Sequence, residues 1–529
     1  MRKRSTVYVV LVLAMLAGAL VETSGGAAAK PSQGRTSYEL IERAVARGEI
    51  SRATGDLYLA YALGAPRKLP HAYRSSRPWE GTLAALRVQR ALRESYAGAT
   101  SNAVGRFVSA ATARPTDVGI RDCLVSAAPM TDQRTTEHFF IEYNPATLRG
   151  GLTINDYAAS LEGSWRKEVT NFKWAAPPVY RPNPAPGGRY HVRIDELSPL
   201  IYGYVSNTGA HAGTVGNNPN TSWNDGDAEA SCMVLNSDFE QFPGTPRAAL
   251  NATTAHEFNH SIQYGYGGLR GANSPDDVFV EGGATWMEDE VYDGANDNYN
   301  YLWPLFEDDM GQYDDSPYPY WITFRGITER YGTGVSGGGE NVMQSFWEVT
   351  SRNQGSNLQA MQMALANRNT NLADAYHAYS IAVKFNRRCN GGYVYPHCFQ
   401  EGPNYVNAAG PTQPQGTITS RGGSYSGEVP DNYALNWVRL PSGGASYTVT
   451  LRNTSAGGRL RGTIACDTGS RLRLAAFPAV VGGGAATRVP SFNPAGCLQS
   501  VAVISNIAQT AANPAESAPR GYTVSTATP

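Results

Sequence analysis

Apolar and polar positions along this 529-residue chain change their spacing from one region to the next, and each spacing predicts a different kind of structure. Residues 37–63 and 83–92 mix apolar and charged positions at helical spacing, which predicts an N-terminal helical segment of roughly 80 residues. From about residue 116 the pattern alternates between strand and helix. It predicts a helix at 155–174 and strands at 138–143, 189–194 and 231–235.

The second half of the chain predicts a helical region followed by short strands. The helices are expected at 320–331, 340–352, 358–366 and 372–388. From about residue 402 Gly, Ser, Pro and Asn become frequent, and short strands are expected at 447–451 and 472–476. This spacing favours a β-sandwich of about 100 residues. The sequence therefore predicts an α+β protein.

The N-terminus predicts export. Three basic residues at positions 2–4 precede an apolar run over 7–20, and small residues follow at 27–29, which is the layout of a signal peptide. The run is shorter than the ~20 residues that a membrane span needs. We therefore expect a secreted, extracellular protein without a membrane span, divided into a signal peptide (1–29), a helical segment (30–115), a catalytic domain (116–401) and a β-sandwich (402–529). Residues 30–115 form either a pro-segment or a permanent helical cap.

The residues that carry chemistry are in the pentapeptide at 256–260, which fits the pattern H-E-x-x-H. Four-residue spacing places His256 and His260 on one face of a helix, where both imidazoles can reach one metal ion. Glu257 is rotated away, so its carboxylate can meet a metal-bound water. The flanks favour a helix, since Thr245 is a suitable N-cap and Pro246 a suitable first residue. The alternative is a pair of helix-face histidines in ordinary hydrogen bonds.

A catalytic zinc needs a third protein ligand. Downstream, residues 279–290 are expected to form a second helix with Glu281 near its start, and Glu281 is the predicted ligand. The alternative for Glu281 is a solvated carboxylate favoured by the helix dipole. Glu288, two turns further on, is either a carboxylate that orients a ligating histidine or part of a plain acidic face.

These motifs resemble those of the gluzincin clan of zinc metallopeptidases. The runs HEFNHSIQ and EGGATWMEDEVY are more closely similar to a family of secreted bacterial proteins identified from genomes as metalloproteases. The resemblance implies a zincin-like catalytic domain, with a small mixed sheet, the H-E-x-x-H helix and a helical second lobe. Thr285 departs from the thermolysin pattern, which has Asp at that position. Residues 202–205 are then expected to be the exposed edge strand to which an extended peptide adds.

The predicted reaction is hydrolysis of a peptide bond in a protein or peptide substrate. Zn²⁺ held by His256, His260 and Glu281 activates water, and Glu257 acts as general base. Tyr318 and Tyr320 are candidate donors to the oxyanion. The competing interpretation is a catalytically silent zincin fold that binds a surface or matrix. A zinc hydrolase of non-peptide substrates is a third.

The charge balance and the cysteine content limit the partners and the cellular compartment that we expect for the protein. The chain has 44 basic and 45 acidic residues, so its net charge gives no electrostatic attraction for nucleic acid. We also expect the protein to be a monomer. Six cysteines without a C-x-x-C pair suit disulfides. Cys389–Cys398, Cys466–Cys497 and Cys123–Cys232 are the expected pairs among fifteen possible connectivities. The acidic stretch 289–315 is either a Ca²⁺ site or a solvated loop.

Overall fold

A computed structural model describes residues 35–64, 66–97, 129–267, 269, 277–302, 317–331, 340–352, 356–430, 433–507 and 518–528. The predicted signal peptide and Cys123 lie outside these ranges. The described residues confirm the α+β class, with a helical N-terminal region and a strand-rich C-terminal region. The chain divides into two compact units, Met1–Gly267 and Gly268–Pro529. Among the described residues, no helix combines the length and hydropathy that a membrane span requires.

The described part of the first unit begins with three α-helices, α1 (Ser37–Ala46), α2 (Arg52–Gly64) and α3 (Thr82–Ala97). A capping box starts α1, because Thr36 accepts from the backbone of Glu39 while the Glu39 carboxylate accepts from the backbone of Thr36. These helices confirm the predicted helical segment.

A five-stranded mixed sheet follows in the first unit. Its spatial order is β1-β2-β3-β7-β4. The inner strands β2, β3 and β7 are parallel, while β1 and β4 pair antiparallel with their neighbours. The strands, with the separate pair β5 and β6, are β1 (Asp132–Thr135), β2 (Phe139–Tyr143), β3 (Tyr190–Asp195), β4 (Gly203–Ser206), β5 (Gly213–Gly216), β6 (Ala228–Ala230) and β7 (Cys232–Asn236). The predicted strands at 138–143, 189–194 and 231–235 are confirmed.

Helices α4 (Ile154–Trp165) and α5 (Pro246–Gly265) pack on this sheet. Helix α4 continues into a π-helical stretch, Arg166–Asn171, where the predicted helix at 155–174 widens. Helix α5 starts as predicted, because the Thr245 side chain accepts from the backbone N–H of Ala248.

Phe258 holds α5 against the sheet. Its ring centroid lies 5.6 Å from that of Phe139 in β2 and 6.2 Å from that of Tyr190 in β3. The Trp165 ring of α4 lies 5.4 Å away. Phe258 is fully buried, so this aromatic contact fixes the rotation of α5 about its axis. The residues on either side of Phe258 take their direction from it.

Among its described residues, the second unit begins with six α-helices: α6 (Asp277–Val291), α7 (Trp321–Tyr331), α8 (Glu340–Ser351), α9 (Asn357–Ala366), α10 (Leu372–Phe385) and α11 (Gly402–Ala409). The helices predicted at 320–331, 340–352 and 358–366 are confirmed. The helix predicted at 372–388 ends earlier, at Phe385, because Asn386 adopts a left-handed conformation with φ 45° that stops the helical ladder.

Two sheets, whose strands pair antiparallel except for β8 with β10, complete the described part of the second unit and enclose one apolar core. One has the order β13-β12-β16-β10-β8, with β14 beside β12, and the other has the order β15-β11-β17-β9. Val438, Ile464 and Ile504 from the first sheet and Val449 and Val524 from the second are buried in the same core. The strands are β8 (Gly416–Thr417), β9 (Ser424–Val429), β10 (Leu435–Arg439), β11 (Tyr447–Asn453), β12 (Arg459–Asp467), β13 (Leu472–Ala476), β14 (Val481–Gly482), β15 (Ala486–Phe492), β16 (Gln499–Asn506) and β17 (Arg520–Ala527).

Disulfides link the cysteines that the sequence paired in this unit. Cys389 is bonded to Cys398, and Cys466 is bonded to Cys497. In the first unit Cys232 is also disulfide-bonded, and its predicted partner Cys123 lies outside the described residues. These bonds fit an oxidising compartment.

Candidate metal centre

The two histidines of the H-E-x-x-H motif converge on one point. His256 and His260 are both fully buried on α5, and their Nε2 atoms lie 3.1 Å apart. Two nitrogen ligands of a tetrahedral zinc ion lie about 3.3 Å apart, as follows from Zn–N bonds of about 2.0 Å. The spacing of the two imidazoles therefore suits a single metal ion.

A chain of hydrogen bonds selects the tautomer of His260. The Gln263 side chain donates from Nε2 to Asn259 Oδ1 at 2.9 Å, so its Oε1 is the acceptor that faces His260. Nδ1 of His260 donates to that oxygen at 2.9 Å. With its proton on Nδ1, the ring keeps the Nε2 lone pair for a ligand.

Glu168 ends this chain of hydrogen bonds. Asn259 Nδ2 donates to its Oε2 at 3.1 Å. Complete burial raises the pKa of the Glu168 carboxyl well above its usual range, against the opposing effect of the Asn259 hydrogen bond. The H-E-x-x-H pattern by itself assigns no role to Asn259, Gln263 or Glu168. The first two could have been found from their spacing around His260, whereas Glu168 lies 91 positions from Asn259 and gives no local signal.

Glu257 is fully buried between α5 and β4. Its Oε2 accepts a hydrogen bond from Thr82 Oγ1 at 2.8 Å. Gly203 allows this close packing, because a Cβ at that position would lie 3.3 Å from Glu257 Cγ and 2.9 Å from the carbonyl oxygen of Val234. Strand β4 is the last strand in the order of this sheet, as predicted, but its residues are buried, so the prediction that it is exposed is wrong.

A second carboxylate lies beside the motif. Glu80, His256 and Glu257 are all buried, and each offers a ligand atom within 4.8 Å of those of the other two. The first unit therefore contains a buried His/Glu grouping that could hold a metal ion. Glu80 precedes α3 in the N-terminal segment, and its position there gave no sign in the sequence of any part in the site.

The second unit contains the other predicted site residues. Glu281 is fully buried on α6, so its side chain is not the solvated carboxylate of the alternative interpretation. A Cβ on its neighbour Gly282 would lie 3.0 Å from the Tyr320 Cβ, which places Tyr320 against α6. Tyr318 is fully buried and stacks on Tyr301 with ring centroids 5.0 Å apart. Thr285 and Glu288 of α6 are buried too.

Two residues of the acidic stretch that suggested calcium belong to a further grouping, together with a glutamate from outside the stretch. Asp289, Asp293 and Glu401 offer carboxylate oxygens within 4.8 Å of one another. Asp289 is also 3.3 Å from the guanidinium of Arg325. Burial raises the pKa of Asp289, against the effect of Arg325. Residues 303–315 of the predicted stretch lie outside the described ranges.

No protein-family model matches the chain, and no curated protein matches it either. The resemblance to gluzincins therefore stays a prediction from the motifs. The function has to be argued from the geometry of the site.

Proposed function

We propose that the protein is a secreted, zinc-dependent metallopeptidase that hydrolyses peptide bonds in a protein or peptide substrate. The observation that carries this proposal is the arrangement on α5, where two buried imidazole nitrogens 3.1 Å apart lie next to the buried carboxylate of Glu257. Glu281 is the proposed third ligand, supported by its complete burial and by its place in the second motif.

The donor set suits zinc. Neutral imidazoles and a carboxylate are common ligands of catalytic zinc, and the Gln263 hydrogen bond leaves His260 Nε2 available for it. When bound, zinc acts as a Lewis acid and lowers the pKa of coordinated water towards about 7. Metal binding alone does not need the buried carboxylate of Glu257, so its presence supports a hydrolase over a silent binding fold.

Each residue has a proposed role in the reaction. Glu257 takes a proton from the attacking water and passes it to the leaving amine. Gln263 keeps His260 in the ligating tautomer and orientation. Strand β4 aligns an extended peptide through its backbone groups. Tyr320, which keeps part of its surface exposed, is the preferred donor to the oxyanion, and Tyr318 in the same short helix is the second candidate, although it is fully buried.

Secretion follows from the predicted signal peptide and is supported by the disulfides. We retain the prediction of a monomer. Ca²⁺ at Asp289, Asp293 and Glu401 is a subsidiary proposal, since hard cations take oxygen ligands. Calcium-dependent heat stability, lost in Asp293→Asn, would support it, and equal stability in calcium and in chelator would contradict it.

The test compares wild type with Glu257→Gln, and with Glu137→Gln as a control because Glu137 is an exposed carboxylate of the same unit. Zinc content and cleavage of unfolded casein are measured before and after a single cut at a protease site engineered within residues 98–114. We expect about one zinc in each protein, and a loss of cleavage of about 100-fold or more in Glu257→Gln alone. Zinc without cleavage in any form would favour the binding protein, and absence of zinc would refute the proposal.

A further inference from the structure

The N-terminal segment runs along the side of β4 that does not pair with β7. The backbone N–H of Trp79 donates to Leu200 O at 2.9 Å, and that of Gly81 donates to Gly203 O at 2.9 Å. Tyr202 N donates back to Trp79 O at 3.3 Å. We call Trp79–Thr82 the covering segment. It is hydrogen-bonded to backbone groups at the β4 edge that an added peptide strand would otherwise use.

The covering segment also reaches the proposed general base. Thr82 Oγ1 accepts from Val205 N at 2.9 Å and donates to Glu257 Oε2 at 2.8 Å. The Thr82 hydroxyl therefore occupies one of the two carboxylate oxygens that could receive a proton from water. The Thr82 side chain thus forms hydrogen bonds both to β4 and to the proposed general base, Glu257.

Glu80 lies between these contacts. It is 1% exposed, and one of its carboxylate oxygens is within 4.8 Å of ligand atoms of His256 and Glu257. An imidazole nitrogen and carboxylate oxygens are ligands that zinc takes in proteins. With a divalent cation on the histidine face, Glu80 would be close enough to occupy a coordination position that hydrolysis needs for water.

The covering segment is held by a folded module. Trp79 is 2% exposed, and its ring stacks on Tyr38 of α1 with centroids 6.2 Å apart. Gly81 permits the close passage, since a Cβ there would lie 2.9 Å from Gly203 O. Thr82, the last residue of the covering segment, is also the first residue of helix α3. The contacts at the site therefore belong to the same structure as α1 and α3.

We propose that residues 35–97 form an autoinhibitory module, in which Glu80 ligates the metal and Thr82 engages Glu257 while the covering segment fills the β4 edge. This inference rests on the proposed function. It makes the full-length chain a latent form, and release of the module opens both the metal and the edge. Of the two readings of residues 30–115, it selects the pro-segment over the permanent cap.

The first test examines the metal in the uncut chain. Co²⁺ is loaded into wild type, Glu80→Gln, Thr82→Val and, as a control, Glu49→Gln, an exposed carboxylate of the same module. Because the visible spectrum of Co²⁺ reports its ligand set, Glu80→Gln is expected to change it, whereas Glu49→Gln is not. Zinc release to a chelator is expected to be about tenfold faster in Glu80→Gln. A spectrum unchanged by Glu80→Gln would overturn the assignment of Glu80.

The second test measures casein cleavage. Uncut wild type is expected to be at least about tenfold less active than Thr82→Val or than wild type cut within residues 98–114. Equal activity of all three would overturn autoinhibition while leaving the peptidase proposal intact, provided that Glu257→Gln remains inactive. Failure of wild type to bind Co²⁺ or Zn²⁺ would instead refute the proposed function, and the inference with it.

Discussion

Nδ1 of His260 donates to Oε1 of Gln263 at 2.9 Å, one helical turn further along α5. Gln263 in turn donates to Asn259, which donates to the buried Glu168. Because Asn259 uses its amide N–H towards Glu168, its oxygen accepts from Gln263, and the oxygen of Gln263 then accepts from His260. The ring of His260 therefore has one favoured tautomer. A local sequence spacing and a distant carboxyl together orient a single imidazole.

Gln263→Leu is expected to weaken zinc binding by about 10-fold to 100-fold, because the variant no longer holds the Nδ1 proton or the ring orientation of His260. Competition against a chromophoric chelator measures the Kd. Gln359→Leu is a suitable control, since that glutamine caps α9 in the other unit. An unchanged Kd in Gln263→Leu would contradict the proposed role.

Gly203→Ala is expected to lower stability by about 1 to 3 kcal/mol, because the new methyl group meets the carbonyl of Val234 at 2.9 Å and overpacks the β4 edge. It should also reduce peptidase activity, since the same methyl group presses on Glu257. Gly294→Ala is the matched control, with open space around its Cβ. Urea unfolding compares the three proteins. Equal midpoints for the two variants would show that β4 can move away from α5.

His377 gives the second unit a predictable pH dependence. It is buried between Ser505 and Thr463, with ring nitrogens 2.8 and 2.9 Å from their hydroxyl oxygens, and burial lowers its pKa to about 3. Between pH 6.5 and 3 the unfolded chain binds a proton there that the folded chain does not, so stability falls as pH falls. From pH 7.5 to 5 this amounts to about 2 kcal/mol. Urea unfolding at several pH values measures the free energy of unfolding, and this part of its decrease with falling pH should be absent in His377→Gln. The same pH dependence in wild type and variant would contradict the prediction.

The two disulfides of the second unit should contribute unequally. Cys466–Cys497 spans 31 positions and Cys389–Cys398 spans 9, so the first restricts the unfolded chain more. Replacing both cysteines of the longer loop by alanine should destabilise by about 1 kcal/mol more than the same change in the shorter loop. Thermal unfolding of the two double variants measures the difference. A larger loss in the shorter loop would indicate that local packing outweighs chain entropy.

Much of the fold could be predicted from the sequence because its signals are local. Thr245 and Pro246 begin α5 as their cap and first-turn preferences require. Strand β13 has the predicted limits, 472–476. Cys389–Cys398 and Cys466–Cys497 were paired correctly, although spacing alone did not exclude other pairings. Helix α10 ended three residues early, because the left-handed conformation of Asn386 leaves only a weak composition signal.

The sequence by itself determined the H-E-x-x-H helix, since four-residue spacing brings His256 and His260 to one face whatever surrounds them. Only the tertiary structure decided what meets that face. Thr82 lies 175 positions from Glu257, and Glu168 lies 91 from Asn259. Such contacts depend on how a sheet edge, a π-helical stretch and an N-terminal segment pack together. Periodicity describes one element at a time, so it cannot specify contacts between distant elements.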